Sequence, residues 1–150
     1  MTGALIGLPG QTNQDIINDI YLAKELGAEM YSFGPFLPSP STPLGEIKNP
    51  SKEKVLKTLA LVRLIDPEVA KILVTTALET LDLATRREGL LAGANSLMLN
   101  VTPVKYRKLY TIYPNKAYSN ELINTQIEEA ISLLKSLGRA PTDLGVSKVN

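Results

Sequence analysis

The chain has 150 residues, a formal net charge of +1, and neither Cys nor His. The lack of both residue types excludes thiolate and imidazole ligands for a metal or an iron–sulfur cluster, and it excludes catalytic triads that use His. The near-neutral charge argues against a nucleic-acid groove, which needs clustered basic residues. No apolar run approaches the roughly 20 residues that span a bilayer, and the first residues lack the basic start of a signal peptide. We therefore expect a cytoplasmic protein without a metal site that contacts neither nucleic acid nor membrane.

The first 27 residues predict one strand followed by one helix. Residues 4–8 are a short apolar run that ends at a Pro-Gly turn, which is typical of a strand. Thr12, with Asp15 three residues later, has the spacing of a capping box and predicts the start of the helix. Apolar residues then recur at helical spacing up to Gly27, and glycine commonly follows a helix end.

Residues 29–66 predict a second strand, a long loop and a second helix. The strand covers residues 29–33, and the loop at residues 35–50 contains five prolines, which exclude a helix interior or a central strand. A loop of this length in a compact domain is usually functional or a linker, and we interpret it as functional. Ser51 predicts the start of the helix, and Asp66, followed by a proline, predicts its end.

The remainder of the chain predicts two further strands and two further helices. The strands are expected at residues 72–76 and 96–100, with a single helix between them that begins at Thr80. A loop at residues 101–118 contains four tyrosines and precedes a helix near residues 120–137.

The resulting β-α-β-α-β-α-β-α order, with short strands that are apolar on both faces, indicates an α/β fold with a parallel sheet covered by helices. Four βα units form either a small open sheet or half of a (β/α)₈ barrel, and composition alone leaves both possibilities open. In either case, ligands are expected at the carboxyl ends of the strands.

Polar and aromatic residues near the predicted strand ends have both a binding and a structural interpretation. Of Thr75 and Thr76, one could direct its hydroxyl toward a ligand, or the pair is simply a β-branched strand end. Met98 is either an inward-facing contact or part of the core. A binding rim or ordinary loop packing would equally explain the cluster of Tyr106, Tyr110 and Tyr113.

Three other features favour a structural interpretation. Residues 7–12 could offer backbone amides to an anion at a helix start, but a tight turn explains them as well. Glu79 is interpreted as an acid at a helix N-terminus, favoured there by the helix dipole, rather than as a catalyst. The basic run of Lys105, Arg107 and Lys108 predicts a solvated face.

Five motifs follow one another along the chain. They are Gly-Leu-Pro-Gly-Gln-Thr, Gly-Pro-Phe-x-Pro-x₃-Thr-Pro-Leu, Thr-Thr-Ala-Leu, Gly-Ala-Asn-x₂-Met-x-Asn-x-Thr-Pro and Tyr-Pro-Asn-Lys. Over residues 3–139, this series resembles the radical S-adenosylmethionine maturases of [FeFe]-hydrogenase, the HydE type, within the biotin-synthase-related group. The resemblance implies a (β/α)₈ barrel, in which residues 1–139 would form strands five to eight, the C-terminal half, followed by a tail at residues 140–150.

The same resemblance implies S-adenosylmethionine and a [4Fe–4S] cluster as cofactors of the full-length enzyme. The family holds that cluster with a three-cysteine motif in the other half of the barrel, so this Cys-free chain should bind none through its own thiolates. We expect a portion of an enzyme that matures the hydrogenase H-cluster, lining the S-adenosylmethionine and substrate cavity but inactive alone. The alternative is a non-catalytic half-barrel that binds a small ligand or interacts with another protein.

By position, the resemblance implies cofactor contacts for Tyr31 and Tyr110. It also implies that a cavity for a small-molecule substrate is lined by Thr75, Thr76, Met98 and Tyr113. A half-barrel would leave two strand edges unpaired and an inner face uncovered, at Leu5, Tyr31, Leu73 and Met98 or their neighbours. We therefore expect a partner, which is either the missing N-terminal half-barrel or a second copy of the chain.

Overall fold

The computed structural model describes residues 1–142 as short strands that alternate with helices. The strands are Leu5–Ile6 (β1), Met30–Tyr31 (β2), Gly34–Pro35 (β3), Lys71–Val74 (β4) and Ser96–Leu97 (β5). The α-helices are Asn13–Glu25 (α1), Lys52–Ile65 (α2), Thr76–Leu81 (α3), Thr85–Leu91 (α4), Val104–Arg107 (α5) and Ile123–Ser136 (α6). A 3₁₀ turn at Lys108–Tyr110 follows α5 directly. Of the predicted tail, residues 143–150 lie outside the described residues.

The strands pair in parallel in two small sheets, one formed by β1 and β3 and the other with the strand order β2-β4-β5. β1 pairs with β3, β2 pairs with β4, and β4 pairs with β5. Outside these ladders, the Thr2 amide donates to the Met30 carbonyl at 3.0 Å, and the Ser32 amide donates to the Thr2 carbonyl at 2.9 Å. Residues 2–6 therefore lie along residues 30–35, and the predicted α/β class with parallel strands is confirmed.

The two longest helices of the first half begin where the sequence predicts. The Thr12 hydroxyl accepts a hydrogen bond from the Asp15 amide, and the Asp15 carboxylate accepts one from the Thr12 amide, which completes a capping box. α1 is followed by Gly27 with φ of 67°, a left-handed conformation that glycine adopts without strain. The Ser51 hydroxyl accepts from the Lys54 amide at 3.3 Å and caps α2 in the same way.

The single helix predicted from Thr80 is wrong, because two short helices occupy this part of the chain. Thr75, and not Thr80, is the N-cap of α3, and its hydroxyl accepts from the Leu78 amide at 3.2 Å. α3 ends at Asp82, whose backbone is extended and whose carboxylate accepts from the Ala84 amide at 2.9 Å. This local turn competes with continued helix, so α4 begins afresh after it.

The hydrophobic core lies between the sheet and the helices α1, α2 and α4. Ile72 and Val74 of β4 are fully buried in it, whereas Leu73 between them belongs to the opposite face of the strand. Leu64, near the end of α2, lies outside this layer and is 79% exposed. The fully buried side chains that fill this layer include Ile6, Ile20, Tyr31, Phe33, Val55, Leu59, Val62 and Leu78. Within residues 1–142, no helix is both long enough and apolar enough to cross a bilayer.

Candidate ligand-binding site

A cavity of about 630 Å³ lies on the face of the sheet that is turned away from the helices. Leu5 of β1 lines it, whereas the next residue, Ile6, is in the core. The cavity continues past the carboxyl ends of the strands, where parallel α/β folds bind ligands, and its size is within the range of small-molecule sites. Its walls include Leu5, Ser32, Gly34, Phe36, Thr75, Thr76, Met98, Ile112, Tyr113 and Lys116.

The structure brings together all four residues that the resemblance implies for a substrate cavity. Thr75 and Thr76 line it at the junction of β4 and α3, and Met98 lines it just after β5. Tyr113 reaches the same cavity from the loop between the 3₁₀ turn and α6. Two threonines, a tyrosine and a methionine therefore line one space.

The local fold explains how Thr75 is held. Its hydroxyl oxygen caps α3 by accepting from the Leu78 amide, and a hydroxyl that accepts one hydrogen bond can still donate another. Gly34 lies opposite, and a Cβ atom at that position would be only 2.7 Å from the Thr75 Oγ1 atom. Glycine at residue 34 therefore leaves space for the Thr75 side chain. No sequence pattern indicated that these two residues lie next to each other.

Tyr113 is a protonated phenol at neutral pH. Burial raises its pKa above the usual value, and the nearby negative charge of Glu79 raises it further, while the hydroxyl of Thr80 acts in the opposite direction. Tyr113 can therefore donate a hydrogen bond into the cavity. Sequence reasoning missed Ile112 and Lys116 beside it, although Lys116 closes the Tyr-Pro-Asn-Lys motif.

Tyr31 and Tyr110 do not border this cavity. Tyr31 is fully buried, its ring stacks near Phe33, and its hydroxyl donates to the Asp66 carboxylate at 2.8 Å. Burial, together with a smaller effect of the hydrogen bond to Asp66, raises the pKa of Tyr31 to about 12. Strand alternation turns Tyr31 toward the helices and its neighbour Ser32 toward the cavity. Tyr110 is 61% exposed at the end of the 3₁₀ turn, and cofactor contacts of both tyrosines stay predictions.

Glu79 lies near a helix N-terminus, as predicted, in the first turn of α3, and it is also part of a buried ion pair. Glu79 is 1% exposed and Arg86 is 5% exposed, and the Arg86 Nε atom donates to the Glu79 carboxylate at 2.5 Å. Burial raises the pKa of Glu79, and Arg86 counteracts part of that rise. The Arg86 guanidinium also lies over the ring of Tyr118, 4.4 Å from its centre. This cluster joins α3 and α4 to the loop that carries Tyr113.

The Gln11 side chain closes the turn at residues 7–12. The Gly7 amide donates to the Gln11 side-chain oxygen at 2.7 Å, and the Gln11 side-chain nitrogen donates to the Leu5 carbonyl at 2.8 Å. The Gln11 amide donates to the Leu8 carbonyl at 3.1 Å and the Thr12 amide to the Asp15 carboxylate at 2.8 Å, so three amides of this segment already have internal acceptors. The tight-turn interpretation therefore describes it.

The donor set does not fit an iron–sulfur cluster. The sequence has no Cys, and residues 1–142 contain no group of three or more acidic side chains arranged to hold a metal ion. A [4Fe–4S] cluster held by cysteine thiolates would therefore need another polypeptide segment.

Comparison with known proteins identifies the family. Residues 31–140 match the profile described as the Biotin and Thiamin Synthesis associated domain. The chain belongs to this family. It is also 39% identical over 139 residues to the [FeFe] hydrogenase maturase subunit HydE of Thermotoga maritima, which confirms the resemblance to HydE-type proteins. That match covers 93% of this chain and 40% of the Thermotoga protein, so the chain spans less than half of that relative's length.

Proposed function

We propose that the chain is the C-terminal portion of a radical S-adenosylmethionine enzyme of the HydE type, which matures [FeFe]-hydrogenase. In this proposal the cavity holds part of S-adenosylmethionine and a small-molecule substrate. The observation that carries the proposal is that Thr75, Thr76, Met98 and Tyr113 all line one cavity on one face of a parallel sheet. These are the residues that the resemblance to the family implies for the substrate.

The proposed architecture is four βα units that form half of a (β/α)₈ barrel. The parallel pairing supports it. Only two residues separate β2 from β3, so residues 30–35 pair with β1 on one side and with β4 on the other, and β4 pairs with β5. Neighbouring strands of such a barrel likewise follow one another in the sequence. The face that would become the barrel interior includes Leu5 and Met98, which are 49% and 40% exposed. A covering partner, either an N-terminal half-barrel or a second copy, would remove this apolar surface from water.

The role proposed for the chain is to bind and orient, without starting the reaction itself. The hydroxyls of Thr75 and Thr76 and the phenol of Tyr113 can hydrogen-bond a polar ligand, and the amine of Lys116 favours a carboxylate. Met98 supplies an adaptable apolar contact. Because the chain has no Cys for the cluster, we propose that it is inactive without the cysteine-bearing segment.

Calorimetry with S-adenosylmethionine tests this proposal, first on the chain alone and then on the chain co-expressed with the cysteine-bearing half of a HydE-type maturase. We expect weak binding to the chain alone, tighter binding to the reconstituted pair, and iron and sulfide only in the pair.

Thr76→Val and Tyr113→Phe should weaken binding, whereas Tyr106→Phe, a matched change of a tyrosine that does not line the cavity, should leave it unchanged. Failure of both preparations to bind at millimolar ligand would overturn the proposal. Binding by the chain with no effect of the second half would favour the ligand-binding module instead.

A further inference from the structure

Arg107 is a buried guanidinium whose hydrogen bonds all run to main-chain oxygens. It is 6% exposed, so the solvated face predicted for this residue is wrong. Its Nε atom donates to the Thr102 carbonyl at 2.7 Å and its Nη2 atom to the Asn100 carbonyl at 2.9 Å. Its Nη1 atom donates to the carbonyls of Tyr118, at 2.7 Å, and Glu121. Arg107 thus joins the segment that follows β5 to the segment that precedes α6.

These contacts enclose a loop whose backbone is strained. Tyr118 has φ of 59°, a left-handed conformation that a bulky residue adopts only when its surroundings enforce it. Arg107 holds the Tyr118 carbonyl, and Arg86 lies against the Tyr118 ring. One residue earlier, the Ala117 amide donates to the Thr80 hydroxyl at 2.9 Å, which ties the loop to α3.

We propose that Arg107 is a positioning residue that holds the loop of residues 111–121 so that Tyr113 and Lys116 face the cavity. The planar guanidinium suits this task because its five donors point in fixed directions and reach carbonyls on both sides of the loop. A lysine would keep the charge but could not span the same acceptors. The inference deepens the proposed function, because the identity of the ligand in the cavity rests on that proposal. The position of the loop is independent of it.

Arg63 provides a matched control. It also donates to three carbonyls, those of Gly93 at 3.0 Å, Pro67 at 2.9 Å and Ala70 at 2.9 Å. Ala70 directly precedes β4, so this second guanidinium acts at the opposite end of the sheet from the cavity. Arg63→Lys therefore removes equivalent hydrogen bonds without touching the loop.

The first measurement is the ¹⁹F NMR titration of 3-fluorotyrosine placed at residue 113 in the full chain. Because burial and the charge of Glu79 raise the pKa of Tyr113, release of the loop should move the titration midpoint down, toward that of a free fluorotyrosine. We expect this shift in Arg107→Lys and no shift in Arg63→Lys, relative to the labelled parent chain. Equal midpoints in all three proteins, or equal shifts in both variants, would overturn the positioning role. If circular dichroism shows that Arg107→Lys is unfolded, Arg107→Gln takes its place in the same comparison.

The second measurement is the affinity for S-adenosylmethionine. Arg107→Lys and Tyr113→Phe should each weaken binding by about tenfold, the loss expected for one good hydrogen bond. The double variant should bind no more weakly than the weaker single variant, because Arg107 acts through the loop that carries Tyr113 and Lys116. Additive losses would contradict that mechanism. If neither the parent chain nor its reconstituted pair with the cysteine-bearing half binds S-adenosylmethionine, the proposed function fails, and the fluorine titration still decides the role of Arg107.

Discussion

Replacing Arg86 with methionine would leave the Glu79 carboxylate buried without its cation. Both side chains are almost inaccessible, at 5% and 1% exposure, and their atoms are 2.5 Å apart. Removal of one member of such a pair costs about 3–5 kcal/mol of unfolding free energy, because the remaining charge is uncompensated. For a chain of this length, the melting temperature should fall by roughly 6–20 °C.

The loss should depend on pH in a defined direction. Burial already holds the pKa of Glu79 above its usual value of 4.5, even though Arg86 lowers it, so the pKa should rise further in Arg86→Met. A carboxyl group whose pKa is raised on folding favours the folded state below its unfolded pKa, and this contribution is lost as the pH rises through the folded pKa. The deficit of the variant should therefore be large at pH 7.5 and smaller near pH 5.

Urea unfolding followed by circular dichroism measures both effects. The double variant Glu79→Met with Arg86→Met should recover most of the lost stability, because apolar side chains of similar volume often replace a buried ion pair without cost. Lys52→Met is the matched control, since its ion pairs with Asp82 and Glu88 are partly exposed and should contribute far less. A deficit for Arg86→Met below about 1 kcal/mol at pH 7.5, or an equal deficit at both pH values, would refute the reasoning.

Two other substitutions test the neighbouring parts of the structure. Tyr31→Phe removes the hydrogen bond to Asp66 and should lower the free energy of unfolding by about 1 kcal/mol at pH 8. The affinity for S-adenosylmethionine should not change, and a loss of affinity would instead favour the predicted cofactor contact of Tyr31. Because the pKa of Tyr31 is raised to about 12, the parent chain should lose stability between pH 10 and 12 more steeply than this variant, as measured by urea unfolding. Gly34→Ala places a methyl group 2.7 Å from the Thr75 hydroxyl oxygen and should cost about 1–3 kcal/mol in the same assay while weakening ligand binding. Unchanged stability and affinity would show that Thr75 can move aside.

Local sequence signals predicted most of the secondary structure. The capping box at Thr12, the cap at Ser51 and the glycine after α1 act within a few residues, so their spacing is visible in the sequence. The parallel arrangement followed from the alternation of short apolar runs with longer amphipathic ones. The helix predicted from Thr80 failed because Asp82 forms a local turn that periodicity does not register.

The candidate site could be predicted only in part. The resemblance to HydE-type proteins placed Thr75, Thr76, Met98 and Tyr113 together, and the structure gives all four one cavity. Strand alternation alone leaves open which set of side chains faces that cavity, because a shift of one residue exchanges the two faces. The orientation of Tyr31 was therefore open until the position of Asp66 was known.

The amino-acid sequence by itself determined the αβ alternation, the helix starts and the absence of cysteine ligands, since these depend on neighbouring residues or on composition. Only the tertiary structure decided that Arg107 is buried and that Glu79 forms an ion pair with Arg86. The partners of Arg107 are carbonyl groups, which every residue possesses, so no side-chain pattern could identify them before the loop was folded around it.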